Sequence, residues 1–345
     1  MIFSRALYAF VLSLLLPWAS VAWAADVTLK AQFFLPKPHP VSKRLAQIYQ
    51  EIEAASGGKV KIQAFWAGEL VPTPQALDGL SRGTLDILAG PGNYYSGKIA
   101  LGDISIMPLN FKRAADRSKV FYDRGVGAIL DGVYRKSVGV AIVAPFTDFI
   151  GEEWLVRKGL TVNSVADFKG QKVRVAGGEL VELARALGGE PVFIPPPEAY
   201  TALQRRTIDG LIFPIHDLDL LKLKEVVGEA VGPSYLFSGP MMHYFMFNAK
   251  SWENLGPEVQ AKIGDALRKA ALHDDANVIK TLETPFRASA EKAGVKFVTL
   301  SGAEIQKAMK AVEVARNYYI TKNKEQGNGA EAEKILKILD EVAGK

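Results

Sequence analysis

Residues 167–178 read Asp167-Phe168-Lys169-Gly170-Gln171-Lys172-Val173-Arg174-Val175-Ala176-Gly177-Gly178, and the segment that follows carries Leu180, Leu183, Ala184 and Leu187. Alternation sends Val173 and Val175 to one face of a short strand and Lys172 and Arg174 to the other. The spacing of the next apolar residues predicts a helix opened by the two glycines. Strand, turn and helix together place Arg174 at a strand end, pointing into a crevice beside the free N–H groups of a helix start. A planar guanidinium near a positive helix end suits a carboxylate, to which it gives two parallel charged hydrogen bonds. The competing reading of Arg174 is a structural ion pair.

The same pattern recurs along the chain. Val27, Leu29, Ala31 and Phe33 alternate as a strand; a proline-rich loop from Pro36 to Pro40 follows, and Ser42 is expected to cap a helix carrying Leu45, Ile48, Tyr49 and Ile52. Gly57-Gly58 ends that helix, and Val60, Ile62 and Ala64 form a second strand, so the unit is a right-handed β-α-β with parallel strands. Alternation of strands and helices continues through Ile87, Val138 to Val143, Lys172 to Val175 and Val192 to Ile194, which predicts an α/β protein. Ligand crevices of open α/β sheets lie outside the carboxyl ends of strands. Strand ends occur in both halves, so two sheets with a cleft between them are expected. From Pro257 to Ala293 the chain is helical, with Val259, Ile263, Leu267 and Ala270, then Ile279, Leu282 and Phe286, on repeating faces. Pro285 should kink it; the alternative is two shorter helices broken near His273 to Asp275. Ile305, Met309 and Val312, then Ile335, Leu336, Leu339 and Val342, mark packing helices separated by Gly327-Asn328-Gly329.

Composition removes many chemistries. The 345 residues include no cysteine, which excludes thiolate nucleophiles, iron–sulfur clusters and cysteine zinc sites. The four histidines, His39, His216, His243 and His273, show no i, i+3 or i, i+4 spacing, so neither a metal nor another cofactor is expected. Gly125-Val126-Gly127-Ala128-Ile129-Leu130 starts like a dinucleotide loop but has leucine at its sixth position. The chain carries no P-loop, Gly-x-Ser-x-Gly or HExxH motif. Glu152-Glu153 and Asp274-Asp275 are adjacent, point in different directions and read as solvated charges. Arg5, the apolar run Ala6 to Leu16 and the small-x-small Ala22-Trp23-Ala24 read as a secretory signal peptide over residues 1–24, too short to span a bilayer. Without Arg5, 41 basic residues stand against 37 acidic ones, scattered rather than striped, so no nucleic-acid partner is indicated and the mature chain is not membrane-spanning.

Several motifs occur in one order. Val162 to Gly178, Ser56-Gly57-Gly58-Lys59-Val60, Gly83-Thr84-Leu85-Asp86-Ile87, Tyr200-Thr201-Ala202-Leu203-Gln204 with Ile208-Asp209-Gly210, and Asn248 to Leu255 with Pro257 resemble motifs of the solute-binding proteins of tripartite ATP-independent periplasmic (TRAP) transporters, DctP type. The matches run over about residues 27–300. The resemblance implies a two-domain periplasmic-binding-protein fold, a hinged clamshell with a long bridging C-terminal helix. It divides the chain into residues 25–150 plus 240–278, residues 151–239 plus 279–325, and a C-terminal helix over 326–345. It implies a periplasmic, non-enzymatic receptor that binds a small organic acid and delivers it to the membrane subunits of a TRAP permease. A ligand-binding partner of a sensor system, and a periplasmic hydrolase or isomerase acting on a carboxylate, remain as alternatives.

Arg174 is the expected carboxylate ligand, with Gly177 in the turn behind it. Loops after strands carry an aromatic set, Phe33, Phe34, Trp66, Tyr94, Tyr95, Trp154 and Phe213, expected to line the cleft, although Phe33 and Phe34 read first as core. Glu69, Asn93 and His39 lie on the same loops and complete the set, and His216, Asp217, Met241, Met242 and His243 are expected to reach the cleft from the crossovers between domains. Counted back from Arg174, Trp154 stands where some relatives, such as sialic-acid receptors, carry a second arginine, and Phe213 stands where many carry asparagine. Both departures favour an aromatic or aliphatic acid over a sugar acid.

Overall fold

A computed structural model describes residues 27–108, 116–146, 151–239 and 242–343. The expected signal peptide and Met241 lie outside the described residues. Among the described residues, eleven strands form two sheets. The first contains β1 (Val27–Phe33), β2 (Val60–Trp66), β3 (Ile87–Gly90), β4 (Val140–Phe146) and β10 (His243–Asn248), in the order β2-β1-β3-β10-β4. The second contains β5 (Glu153–Arg157), β6 (Lys172–Val175), β7 (Glu190–Phe193), β8 (Gly210–Phe213), β9 (Val227–Gly232) and β11 (Lys296–Thr299), in the order β11-β9-β5-β8-β6-β7. As predicted, β1 and β2 pair in parallel, whereas β10 runs antiparallel to both its neighbours. The chain therefore passes from the first sheet to the second before β5, returns for β10, and crosses again to supply β11. Among the described residues no helix is long and apolar enough to cross a membrane.

Each sheet is covered on both faces, because alternate residues enter different cores. On the second sheet Trp154, Val173, Val175, Ile212 and Val231 face one core, with helices Glu179–Ala186 and Gly302–Glu325 packed over it. Leu155, Leu211, Phe213 and Ala230 face the other. The 302–325 helix joins the two bodies: Ala308, Ala311, Val312 and Ala315 enter the second sheet's core, while Tyr319 enters a core of the first, shared with helix Gly329–Ala343.

Two local predictions are revised, and a third, the continuous helical run, holds. Helix Pro40–Ala55 starts earlier than Ser42: Pro40 supplies the fixed first turn and His39 is the cap, its Nδ1 accepting the Val41 N–H at 3.2 Å. Helix Val126–Val138 extends to Val138 and ends on left-handed Gly139, so β4 begins at Val140. The long helical run keeps a continuous axis in place of a break near His273: helix Gly256–Val278 passes through a π-helical stretch, Ile279–Glu283, into helix Thr284–Lys292, where Pro285 occupies the first turn.

Two glycines test the packing. A Cβ on Gly92 would lie 2.7 Å from the Gly102 carbonyl oxygen, whereas one on helical Gly132 would meet nothing within 4 Å. Gly92→Ala is expected to destabilise the protein by about 1–3 kcal/mol, and Gly132→Ala to stabilise it by about 0.5–1 kcal/mol. Urea denaturation of the two variants checks both signs.

Candidate functional site

Between the sheets lies a small cavity of about 30 Å³, room for about two water molecules, so a solute enters only if the walls part. Its walls are the residues that follow the carboxyl ends of parallel strands, Phe34 and Leu35 after β1, Pro91 after β3, Ala176 after β6 and Pro214 after β8. Glu152 and His243 enter at the starts of the antiparallel strands β5 and β10. A larger groove, about 250 Å³, runs outside between helix Pro40–Ala55 and the 256–278 helix. Its charges are already matched, since Arg44 Nε donates to Asp274 at 2.9 Å.

Arg174 sits on β6 with its neighbours Val173 and Val175 in the opposite core, as alternation requires. It is 1 % exposed. Its Nε donates to the Ile194 carbonyl at 2.9 Å and Nη1 to the Ile212 carbonyl at 3.4 Å. The guanidinium lies 4.6 Å from the centroid of the Phe213 ring, a cation–π contact. Among the described residues no carboxylate lies within ion-pair distance of it, so the structural ion pair is absent and the charge faces the cavity with donors left over.

Phe34, Tyr94 and Phe213 supply the apolar lining, with the Phe34 ring 5.5 Å from Tyr94 and 5.6 Å from His243. His39 and Asp217 close one edge. His39 Nε2 lies 3.4 Å from Asp217 Oδ1, and the His39 and His216 rings are 5.9 Å apart. These three residues bring ligand-type atoms within 4.8 Å of one another, a set that a divalent transition ion accepts. The cap decides otherwise: because His39 Nδ1 accepts the Val41 N–H, the neutral ring carries its proton on Nε2 and donates it to Asp217. Burial pulls the His216 imidazole down to about 4, opposed by Asp217, so it is neutral at neutral pH.

Three further buried acidic residues, Glu152, Asp103 and Glu179, lie in this region. Glu152 is 2 % exposed, lines the cavity, and its Oε2 has no partner among the described residues. Burial raises it to about 8, opposed by Arg174 and reinforced by Asp217. Deeper, Asp103 faces Glu179 across the two bodies, and burial raises both, Asp103 to about 8 and Glu179 well above the carboxylate range. A Cβ on Gly178 would lie 3.1 Å from the Asp103 carboxylate. The start of the 179–186 helix therefore meets Asp103, and the expectation that its N–H groups lie beside Arg174 is corrected.

Other placements also differ from the sequence reading. Trp154 is fully buried, stacked on Phe168 at 4.0 Å with Nε1 donating to Gln171 at 3.2 Å. It lies within the sheet, under the 302–325 helix layer; the cavity begins at the strand's first residues, where Glu152 stands. Tyr95 and Met242 enter the core of the first body, and Trp66 packs against Phe33 and Tyr49 in the other core of that sheet. Glu69 closes its own turn by accepting the Trp66 N–H at 2.9 Å. Asn93 and Gly177 meet where the bodies touch, with Asn93 Nδ2 donating to the Ala176 carbonyl at 3.3 Å. The acidic pairs are buried rather than solvated: Glu153 accepts from Arg287 at 2.9 Å, Asp274 pairs with Arg44 and Asp275 with Arg117. Glu152 was missed for that reason, although the apolar Trp154-Leu155-Val156 run beside it was the available signal.

Two α/β sheets interleaved by three crossovers, with a buried unmatched guanidinium in the cleft between them, define a solute-binding receptor. The chain belongs to the bacterial extracellular solute-binding proteins, family 7 (DctP), whose family profile matches residues 33–322. It is similar to a monocarboxylate 2-oxoacid-binding periplasmic protein of Nostoc sp., 29 % identical over 223 residues that cover 64 % of this chain and 57 % of the relative. Among solved structures it resembles a TRAP solute-binding protein of Bordetella bronchiseptica with calcium and picolinate bound, at TM-score 0.83 and 23 % identity, covering 93 % of this chain and 94 % of the other. It also resembles one of Desulfovibrio salexigens with bound orotic acid, at TM-score 0.80 and 20 % identity, covering 92 % and 98 %.

The Asp103 environment sets a pH dependence. Its ordinary value is 3.8 and its folded value about 8. Below that ordinary value both folded and unfolded chains hold the proton. As pH rises, the unfolded chain releases it first, so stability falls from about pH 4 to pH 8. Asp103→Asn is expected to raise the melting temperature by a margin that grows across that window. A margin independent of pH would contradict the assignment.

Proposed function

We propose that this receptor takes an organic carboxylate, with an aromatic or aliphatic body, into the cavity at Arg174, closes its two bodies around it and delivers it in the periplasm to the membrane subunits of a TRAP permease. The two bodies are residues 25–150 with 240–278 and residues 151–239 with 279–325, joined by the crossovers and the 302–325 helix. The observation that carries the reading is Arg174, buried at 1 % exposure and, among the described residues, bonded only to backbone carbonyls and a ring face, with no carboxylate paired to it. A buried cation without a counter-ion is costly, and a ligand carboxylate supplies one through the remaining N–H groups. The aromatic lining at Phe34, Tyr94 and Phe213 offers stacking and few hydrogen bonds, which suits a ring or alkyl body better than a sugar acid. The 2-oxoacids, picolinate and orotic acid named for three related proteins agree with this chemistry, whereas other related structures hold sugar acids. Binding shifts an open–closed equilibrium and leaves the solute chemically unchanged.

A thermal-shift panel of aromatic acids, aliphatic acids and sugar acids, followed by calorimetry with the acid that stabilises most, tests the reading. Arg174→Ala is expected to lose about 2–5 kcal/mol of binding free energy, and Arg174→Lys to recover only part, because an ammonium lacks the paired geometry. Stabilisation by sugar acids alone would contradict the lining argument, and an unchanged dissociation constant in Arg174→Ala would return Arg174 to a structural role.

A further inference from the structure

Glu152 and Arg174 line one desolvated cavity without forming an ion pair, and Glu152 Oε2 is unpartnered at 2 % exposure of the residue. The backbone fixes its place: the Glu152 N–H donates to the Ser238 carbonyl at 3.3 Å. Once a ligand carboxylate occupies Arg174, an ionised Glu152 would be a second acceptor-only group beside it, with Asp217, already held by His39, as a third. Like charges this close in a water-poor site do not stay ionised together, so a proton must sit between them. The charged and titratable groups that surround Glu152 are Arg174, Asp217, His216, His243, Tyr94 and, deeper, Glu179. His216 and His243 are both held neutral by burial and so add no positive charge to balance the acids.

We propose that Glu152 is the second recognition group of this pocket, meeting the bound acid as a neutral carboxyl that donates its O–H to a ligand oxygen. The solute class is then an acid with an acceptor oxygen, such as an oxo group, close to the carboxylate held by Arg174; an acid with an ammonium group there is rejected. This rests on the carboxylate reading of the site. It also makes binding take up a proton at alkaline pH, since the arriving negative charge holds the Glu152 proton more tightly.

Phenylpyruvate and 4-methyl-2-oxopentanoate, with phenylalanine and leucine as their amino counterparts, are the probes for isothermal calorimetry between pH 6 and 9. Two buffers of different ionisation enthalpy count the protons. Wild-type protein is expected to bind an oxo acid in preference to its amino acid, with almost no proton uptake at pH 6 and about one proton per ligand at pH 9, the dissociation constant rising up to about tenfold per pH unit above pH 8. Glu152→Gln, which keeps the shape and an N–H donor, is expected to lose this proton uptake and the alkaline rise of the dissociation constant. Comparison with Glu152→Gln separates Glu152 from Asp103 and Glu179, whose protons stay in both proteins. Tighter binding of the amino acids, abolished in Glu152→Gln, would overturn the proposal in favour of an ionised acceptor. An unchanged proton count in Glu152→Gln would overturn it while leaving the carboxylate pocket intact. Failure of all four probes to bind, with a non-acidic solute recovered from the purified protein, would overturn the pocket reading as well.

Discussion

A guanidinium withdrawn from water needs oxygens around it, and the cleft gives Arg174 only part of what it needs. Two backbone carbonyls and the Phe213 ring satisfy one side of the group. The other side faces a cavity in which, among the described residues, no acidic side chain is within pairing distance. Desolvating an unmatched charge costs several kcal/mol, and the β6 backbone enforces it, because Val173 and Val175 anchor the strand in the opposite core. The site is therefore built short of one anion. A carboxylate that supplies it gains more in the closed form, where water is excluded, than in an open one, and that difference is what drives closure.

Several of the contacts that join the two bodies around the cavity are polar, while Ile106 and Tyr94 of the first body also pack against the second sheet's core. His39 meets Asp217, Asn93 meets the Ala176 carbonyl, and Gly178 lies against Asp103. Such an interface separates more readily than a core does. Gly178, at φ 58°, fits because it lacks a side chain in a conformation that side-chain-bearing residues avoid and at a distance where a Cβ would press on the Asp103 carboxylate. Asp103 and Glu179 sit above the ordinary carboxylate range through burial, so protons balance part of the charge at this boundary.

Periodicity made the α/β class, the two-sheet plan and the direction of Arg174 legible, because alternation over two or three residues decides which face a strand residue takes. It did not reveal which layer covers that face. Trp154 and Phe213 both read as lining, yet Trp154 lies under a helix supplied from about 150 residues later, while Phe213 lies beside Arg174 at the strand's open end. Asp274 and Asp275 do point in different directions, as neighbours on a helix must. Each finds an arginine from a distant segment, Arg44 or Arg117. Adjacency in sequence carries no sign of such partners. His39 was expected in the cleft, but its role as helix cap and donor to Asp217 depends on Pro40 setting the first turn, a local detail that outranked the Ser42 signal.

The most direct measurement is a crystal structure of the mature protein grown with phenylpyruvate, or with whichever acid the purified protein releases. The account predicts the ligand carboxylate on the free N–H groups of Arg174 at about 2.7–2.9 Å, with the ligand's body between Phe213 and Tyr94. A carboxylate bound elsewhere, with the Arg174 guanidinium unpaired or turned onto Glu152, would contradict it.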